Sequence, residues 1–326
     1  MNLRQIRYFL EIAEHGNFTR ASEVLNIAQP ALSRQIRLLE EDLGETLFIR
    51  SGHGVALTAA GKALRERATV LVYEFDKLRD VVSDQSEPRG HLTVGLPPAI
   101  SHMVSIELID AYCRQYADVH LHIREGISLD LIAGIQQSKI DCAIVVSDEN
   151  QGLRSEFLFR ETLFLVAPAS EKYDLNQLLT LDSAAGKPLI LTNRMNNFRV
   201  AIEDAFGRNQ LPMRVLADSN STSMIAALVA KGTAYSILPY CAIDAALSHG
   251  LISASPIEGL SVDWAFVSPP QTELTIPAKL FHQMLLDQIH RKVEGNNWLG
   301  AVLTTTPAPI SADNQQASID MLGNGP

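Results

Sequence analysis

The stretch from Phe18 to Arg37, FTRASEVLNIAQPALSRQIR, limits what this chain can fold into more than any other. Ala21, Val24 and Leu25 fall at i, i+3 and i+4, which predicts one apolar stripe on a short helix capped by the Thr19 hydroxyl. The stripe breaks at Asn26-Ile27-Ala28, about the length of a helix-turn-helix corner. Pro30 suits the first turn of a second helix, where a missing N–H costs nothing. There Ala31, Leu32, Ile36 and Leu39 are expected to face inward, leaving Gln29, Ser33, Arg34 and Arg37 outside. An amide, a hydroxyl and two guanidiniums on one exposed face suit base edges and phosphates in a major groove.

An ordinary two-helix corner with a solvated polar face would carry the same pattern, so the flanks decide. Leu3, Ile6, Phe9 and Leu10 mark a preceding helix that can cover the corner. FIRSGHGVAL, from Phe48 to Leu57, reads as two short strands around Ser51-Gly52-His53-Gly54. Three helices and a basic hairpin make a winged helix-turn-helix. Over the first ~65 positions the chain resembles the DNA-binding domain of the LysR-type bacterial transcriptional regulators. The resemblance rests on LRQIRYFLEIAEHGNFTRASEVLNIAQPALSRQIRLLEEDLGETLF and the later LTAAGKAL. Its IAQPALS run resembles the nitrogen-assimilation type. One departure is His53, where family wings often carry arginine before the second glycine; a mostly neutral imidazole attracts a narrow minor groove less.

On this reading Arg34 and Gln29 contact bases, at the start of a helix set by Pro30. Thr19, Arg20, Ser33 and Arg37 hold phosphates, and Arg50 and His53 lie on the wing's backbone or minor-groove side. The formal net charge of −10 on its own argues against nucleic acid. Residues 1–65, however, carry 8 Lys/Arg against 7 Asp/Glu, a net of +1, so the remainder holds −11. Local charge governs docking, and an acidic remainder is repelled from the duplex.

Thr58 is placed to cap a long helix whose apolar positions run Leu64, Ala68, Leu71, Phe75, Leu78, Val82. Steps alternating between 4 and 3 form a heptad seam, by which two helices pair. A dimerising linker helix is also what the family resemblance implies. Ser83 to Gly90 reads as a hinge. Strand and helix patterns then alternate, which predicts a parallel α/β domain. The resemblance implies a periplasmic-binding-protein-like effector domain of two subdomains, crossed twice by the chain. The expected division is 1–58 winged helix-turn-helix, 59–89 linker helix and hinge, 90–161 with 265–295 as subdomain 1, and 162–264 as subdomain 2. Residues 300–326, rich in Pro, Ser, Thr, Asn and Gln, are expected to be a disordered tail.

Ligands in open α/β sheets bind beyond the carboxyl ends of the strands. By the resemblance, Ser101, Ser128, Thr192, Asn193 and Thr222 line an effector cleft between the subdomains. Serines and threonines at helix starts are commonly caps, a role compatible with facing a ligand. Arg194 is the side chain best suited to grip a carboxylate in two places, so a small polar, anionic effector is expected. The alternative is an enzyme or small-molecule-binding α/β protein with a helical oligomerisation module. Against catalysis, the sequence lacks GxSxG, GxxxxGK[ST], HExxH and a post-strand GxGxxG. His120 and His122 share a strand face without a placed third ligand, so no metal or other cofactor is expected. Cys113, Cys142 and Cys241 are far apart and read as buried small hydrophobes in a reducing compartment. No apolar run reaches the ~18 residues of a membrane span, and no signal peptide is apparent, so a cytoplasmic protein is expected. The expected partners are double-stranded operator DNA, a second or fourth copy of the chain, the effector and RNA polymerase.

Overall fold

The computed structural model describes residues 1–51, 54–82, 88–146, 152–270 and 273–303. The hairpin tip at Gly52-His53, most of the hinge and the tail from Thr304 lie outside the described residues, as do the side chains of Arg50, Leu78 and Val82. The head consists of α1 (Leu3–His15), α2 (Phe18–Val24), α3 (Gln29–Leu43), and the antiparallel strands β1 (Phe48–Ser51) and β2 (Gly54–Leu57). Ile6, Phe9, Ile12, Phe18, Ala21, Leu32, Ile36 and Leu39 form its core. Phe48 closes that core, with ring centroids 5.3 Å from Phe9 and 5.7 Å from Phe18.

Short motifs of the head correspond to specific backbone contacts. Asn26 adopts φ 52° at the corner between α2 and α3, a conformation asparagine tolerates better than most residues. Glu40 accepts from the Leu47 amide at 2.7 Å, which carries the chain from α3 into β1. Thr58 donates to the Thr46 carbonyl at 2.7 Å and accepts from the Gly61 amide at 2.9 Å, so it caps α4 (Ala59–Val82). A Cβ on Gly61 would sit 2.2 Å from the Leu47 carbonyl oxygen; only glycine permits this approach. The wing is tied back through the Val55 amide, 2.9 Å from the Gly16 carbonyl.

Three expectations for the head are corrected. The α2 cap is Asn17, whose side chain accepts from the Thr19 and Arg20 amides; Thr19 lies inside the first turn. Val24 is 57% exposed and Ala31 is exposed, because neither points at α1 or the wing. Ser22 turns inward instead and donates to the Thr19 carbonyl at 2.7 Å. Along α4 the first seam positions, Leu64 and Ala68, pack on the head itself. Leu71 and Phe75 remain exposed further along.

Beyond the linker the chain builds two layered halves on two shared strands. β6 (Arg154–Pro168) and β10 (Ile252–Ser268) pair antiparallel over nearly their whole length. At one end β10 pairs with β5 (Cys142–Val146), which leads to β3 (Gly90–Leu96) and the edge strand β4 (Val119–Glu125). At the other end β6 pairs with β9 (Ser236–Pro239). Bridges between Leu189 and Tyr235 continue to β7 (Pro188–Thr192) and its parallel partner β8 (Arg214–Ser219). Register shifts between Pro256 and Ser261 and between Trp264 and Ala265 fall where the shared pair passes from one half to the other.

Five helices flank the two halves: α5 (Ile106–Gln115), α6 (Ser128–Gln136), α7 (Asn197–Arg208), α8 (Thr222–Ala230) and α9 (Tyr240–Ser248). α10 (Ile276–Glu294) returns to the first half. The sheet is mixed rather than parallel, because the long crossing strands run against β5 and β9. Within the stretch from residue 300 expected to be a tail, β11 (Ala301–Val302) pairs with β6. Cys142 and Cys241 are buried, but Cys113 is exposed on the outer side of α5. Among the described residues no helix is long and apolar enough to cross a membrane.

Candidate nucleic-acid interface and interdomain cleft

The polar face of α3 is held outward by Leu32, Ile36 and Leu39, each no more than 1% exposed. Gln29 and Ser33 lie one turn apart, and the Gln29 amide donates to the Ser33 hydroxyl at 3.1 Å. This contact keeps the amide extended along the helix near its amino end. Arg34 and Arg37 are exposed beside it, and Pro30 stands in the first turn. Ala28 offers no side-chain cap, which leaves the start of α3 open toward a partner. Arg20 is exposed on α2, whose amino end is already saturated by Asn17. These groups form one donor-rich surface suited to an anionic, edge-bearing polymer.

The second candidate site lies where the carboxyl ends of β5 and β7 approach each other. On the first half, Ser101 donates to Glu125 at 2.9 Å, and the Ser128 hydroxyl accepts from the Val146 amide at 3.0 Å. On the second half, the Asn193 side-chain amide donates to the Asn220 side chain. Ser221, not Thr222, caps α8 by accepting from the Met224 amide; Thr222 is buried beside it. A direct link joins the halves here: the Asn197 amide donates to the Val146 carbonyl at 2.7 Å. Ser101 and Ser128 thus lie beyond the carboxyl ends of the first half's strands, and Thr192, Asn193 and Thr222 at or beyond those of β7 and β8 in the second.

Two polar atoms on the second wall are incomplete. Thr192 Oγ1 and Asn193 Oδ1 are buried without a hydrogen-bond partner among the described residues. Buried polar atoms are almost always paired, so an orphaned hydroxyl and carbonyl in one corner invite a polar ligand. Arg194 is 77% exposed, with Nε 3.3 Å from Glu203. Sequence reasoning missed the deeper cation. Arg199, 2% exposed, meets Glu203 and Asp218, each at 2.8 Å, and donates to the Thr192 carbonyl at 3.4 Å. This buried guanidinium orients the Thr192 corner, its single positive charge met by two carboxylates.

The shared strands hold a second group invisible to motif reasoning. Glu161 is fully buried and receives the Trp264 and Trp298 indole N–H groups at 2.7 and 2.8 Å. The Cys241 amide at 2.9 Å and its thiol at 3.4 Å complete four contacts from α9, β10 and the segment after α10. Burial pushes the Glu161 carboxyl upward, and the four donated hydrogen bonds offset only part of that. The adjoining Cys241 thiol is pushed well above its usual range by burial and by Glu161, so it stays protonated. Beside this strand a cavity of about 250 Å³ opens between α7 and the crossing pair, lined by Val146, Asn197, Asp204 and the Arg160–Asp263 ion pair.

Elsewhere, His120 lies beside His91 across β3 and β4, ring centroids 5.5 Å apart. Among the described residues no group of three or more metal-ligating side chains occurs.

The chain matches two family models. One, for the bacterial regulatory helix-turn-helix protein of the lysR family, covers residues 3–62, and the other, for the LysR substrate binding domain, covers 85–289. It is 26% identical over 307 residues to the nitrogen assimilation regulatory protein nac of Escherichia coli K12, spanning 91% of this chain and 99% of that one. A hydrogen peroxide-inducible genes activator of Pectobacterium carotovorum is 30% identical over 193 residues, 59% of this chain and 64% of the relative. Among solved structures, CbnR, a LysR family transcriptional regulator, superposes with TM-score 0.66 at 21% identity, covering 89% of this chain and 99% of CbnR. CbnR in complex with its target DNA gives TM-score 0.67 at 22% identity over the same shares.

Proposed function

Because the chain belongs to the LysR family, a DNA-binding transcriptional regulator with an effector-binding domain and not an enzyme, we propose that α3 reads an operator in the major groove. The carrying observation is the outer face of α3, with Arg34 and Arg37 exposed and Gln29 and Ser33 half-buried beside them, over a fully buried apolar edge. Arg34 and Gln29 contact bases; Ser33, Arg37, Thr19 and Arg20 contact phosphates around the helix start at Pro30. Arg50 and His53 bring the wing to the flanking backbone. The molecule acts as a dimer, or a tetramer of two dimers, paired through the exposed part of the α4 seam. Two recognition helices then lie about 34 Å apart along one face of the duplex.

The proposed functional division is 1–58 for the head, 59–89 for the linker and hinge, 90–161 with 265–295 for the first half, and 162–264 for the second. A small polar effector, anionic where it meets Arg194, occupies the cleft lined by Ser101, Ser128, Thr192, Asn193 and Thr222. Support for this comes from the orphaned Thr192 and Asn193 atoms and from the Asn197–Val146 link, which an effector can replace. Occupancy favours one angle between the halves and so one arrangement of the paired heads, a population shift read as a change in bound DNA. The protein works in the cytoplasm, with RNA polymerase as the partner that senses the change.

Selection of bound fragments from the source genome, followed by footprinting with and without metabolites of the neighbouring genes, tests this reading. An operator whose footprint changes in extent with effector supports it. The absence of any preferred duplex at moderate salt contradicts it.

A further inference from the structure

We propose that the cavity between the amino-terminal half of α10 and the paired ends of β6 and β10 is a second ligand site, taking a small organic carboxylate. It lies outside the cleft described above. Val267 pairs with Ala143 and Trp264 with Val146, so Ser268 sits toward the start of β5. The cleft gathers at the other end, where Val146 meets Asn197. This cavity therefore opens at the opposite end of the first half's sheet.

Its volume is about 310 Å³, at the small end of metabolite pockets. Antiparallel register sets Glu156 opposite Phe266 and Arg154 opposite Ser268, and α10 brings Lys279 and His282, one turn apart, over the same patch. Leu274 adds an apolar wall and Glu273 a rim carboxylate.

Lys279 pairs with Glu273 at 3.2 Å, and His282 approaches Glu156 at 3.5 Å. The Arg154 side chain is exposed and makes no hydrogen bond or ion pair to the described residues, although it lines the cavity. His282 Nε2 is buried with no hydrogen-bond partner among those residues, and its ring is fixed by stacking on Phe266 at 4.2 Å. The solvent-facing Arg154 guanidinium and the buried His282 imidazole border one space, and a carboxylate entering it supplies an acceptor to each. Phe266 and Leu274 offer the apolar contact that separates an organic acid from a bare inorganic anion. Burial, with Arg154 nearby, lowers the imidazole's proton affinity against the opposing pull of Glu156, so the empty cavity favours neutral His282. An incoming carboxylate reverses that balance and draws a proton onto the ring. Since β6 and β10 continue into the second half, an occupant braces α10 against the strands that link the halves.

Titration of the full chain with butyrate, hexanoate and inorganic phosphate, followed by calorimetry and thermal melting, tests the site. Saturable hexanoate binding that is tighter at pH 6 than at pH 8 is expected, with phosphate weaker. R154M should weaken it at least tenfold, H282Q should remove its pH dependence, and T192V in the cleft should leave it intact. No saturable hexanoate binding overturns the proposal, as does equal affinity in R154M, phosphate binding more tightly than hexanoate, or loss of hexanoate binding only in T192V. Failure of the cleft reading leaves these outcomes unchanged, because none of them requires DNA.

Discussion

The head and the effector domain solve the same problem at different ranges. In the head, the functional face belongs to one helix, and the contacts that aim it come from residues close in sequence. Glu40 reaches Leu47, 7 positions on, and Thr58 reaches back 12 positions to Thr46. In the effector domain no single element carries a site. Glu161 takes its donors from residues 80, 103 and 137 positions away, and Arg199 joins Thr192 to Asp218 across two strands. Local aiming leaves a motif; assembly across the fold does not.

If that contrast holds, the largest single loss should fall at Glu161. Glu161→Ala strands two indole N–H groups and one amide in the core, costing on the order of 3–5 kcal/mol. Calorimetry should show the effector domain's transition falling while DNA binding by the head survives. Gly61→Ala is the local counterpart. Its methyl meets the Leu47 carbonyl, so about 1–3 kcal/mol of head stability should be lost with effector-domain melting unchanged.

Binding to DNA sharpens the comparison within α3. Arg34→Ala should cost about 1–3 kcal/mol and relax preference at one operator position. Arg37→Ala should instead weaken all sequences alike and reduce the salt slope by about 1. Competition binding over a salt series separates the two; identical behaviour would remove the distinction between base and phosphate contact. Smaller still, Asn17→Ala should cost about 1 kcal/mol of head stability, and Thr19→Ala much less, because Asn17 is the residue that caps α2.

Acidity offers a further check on the hub. The raised Glu161 titration means its contribution is fully present below the unfolded value of 4.5 and is lost as pH rises through the higher folded value. Glu161→Gln should flatten that part of the stability profile. An unchanged profile would show that the carboxyl titrates alike in the folded and unfolded chain.

Legibility in the sequence follows the same divide. The corner, the hairpin strands and the start of α4 could be read because turn residues and apolar spacing act over one or two helical turns. The errors at Val24 and Ala31 arose because spacing identifies a stripe but not the width of surface that neighbours cover. Asn17 was passed over because threonine one turn inside looks like an equally good cap. In the effector domain the ends of β5 and β7 were recognisable, and so were the polar residues just beyond them. The full lengths of β6 and β10 were not, since an uninterrupted strand carries no mark where it passes between halves. Arg199 and Glu161 were hidden for a plainer reason: a charged residue within an ordinary amphipathic segment gives no sign that distant partners will bury it.

The most direct measurement is anisotropy competition between a genomically selected duplex and scrambled duplex at moderate salt, run on the wild type and on Arg34→Ala. The account predicts that the wild type prefers the selected duplex by at least about a thousandfold, the usual margin for specific over non-specific binding. It also predicts that Arg34→Ala loses roughly ten- to hundredfold of that preference. Equal affinity for both duplexes in the wild type, or an unaltered preference in the variant, would contradict it.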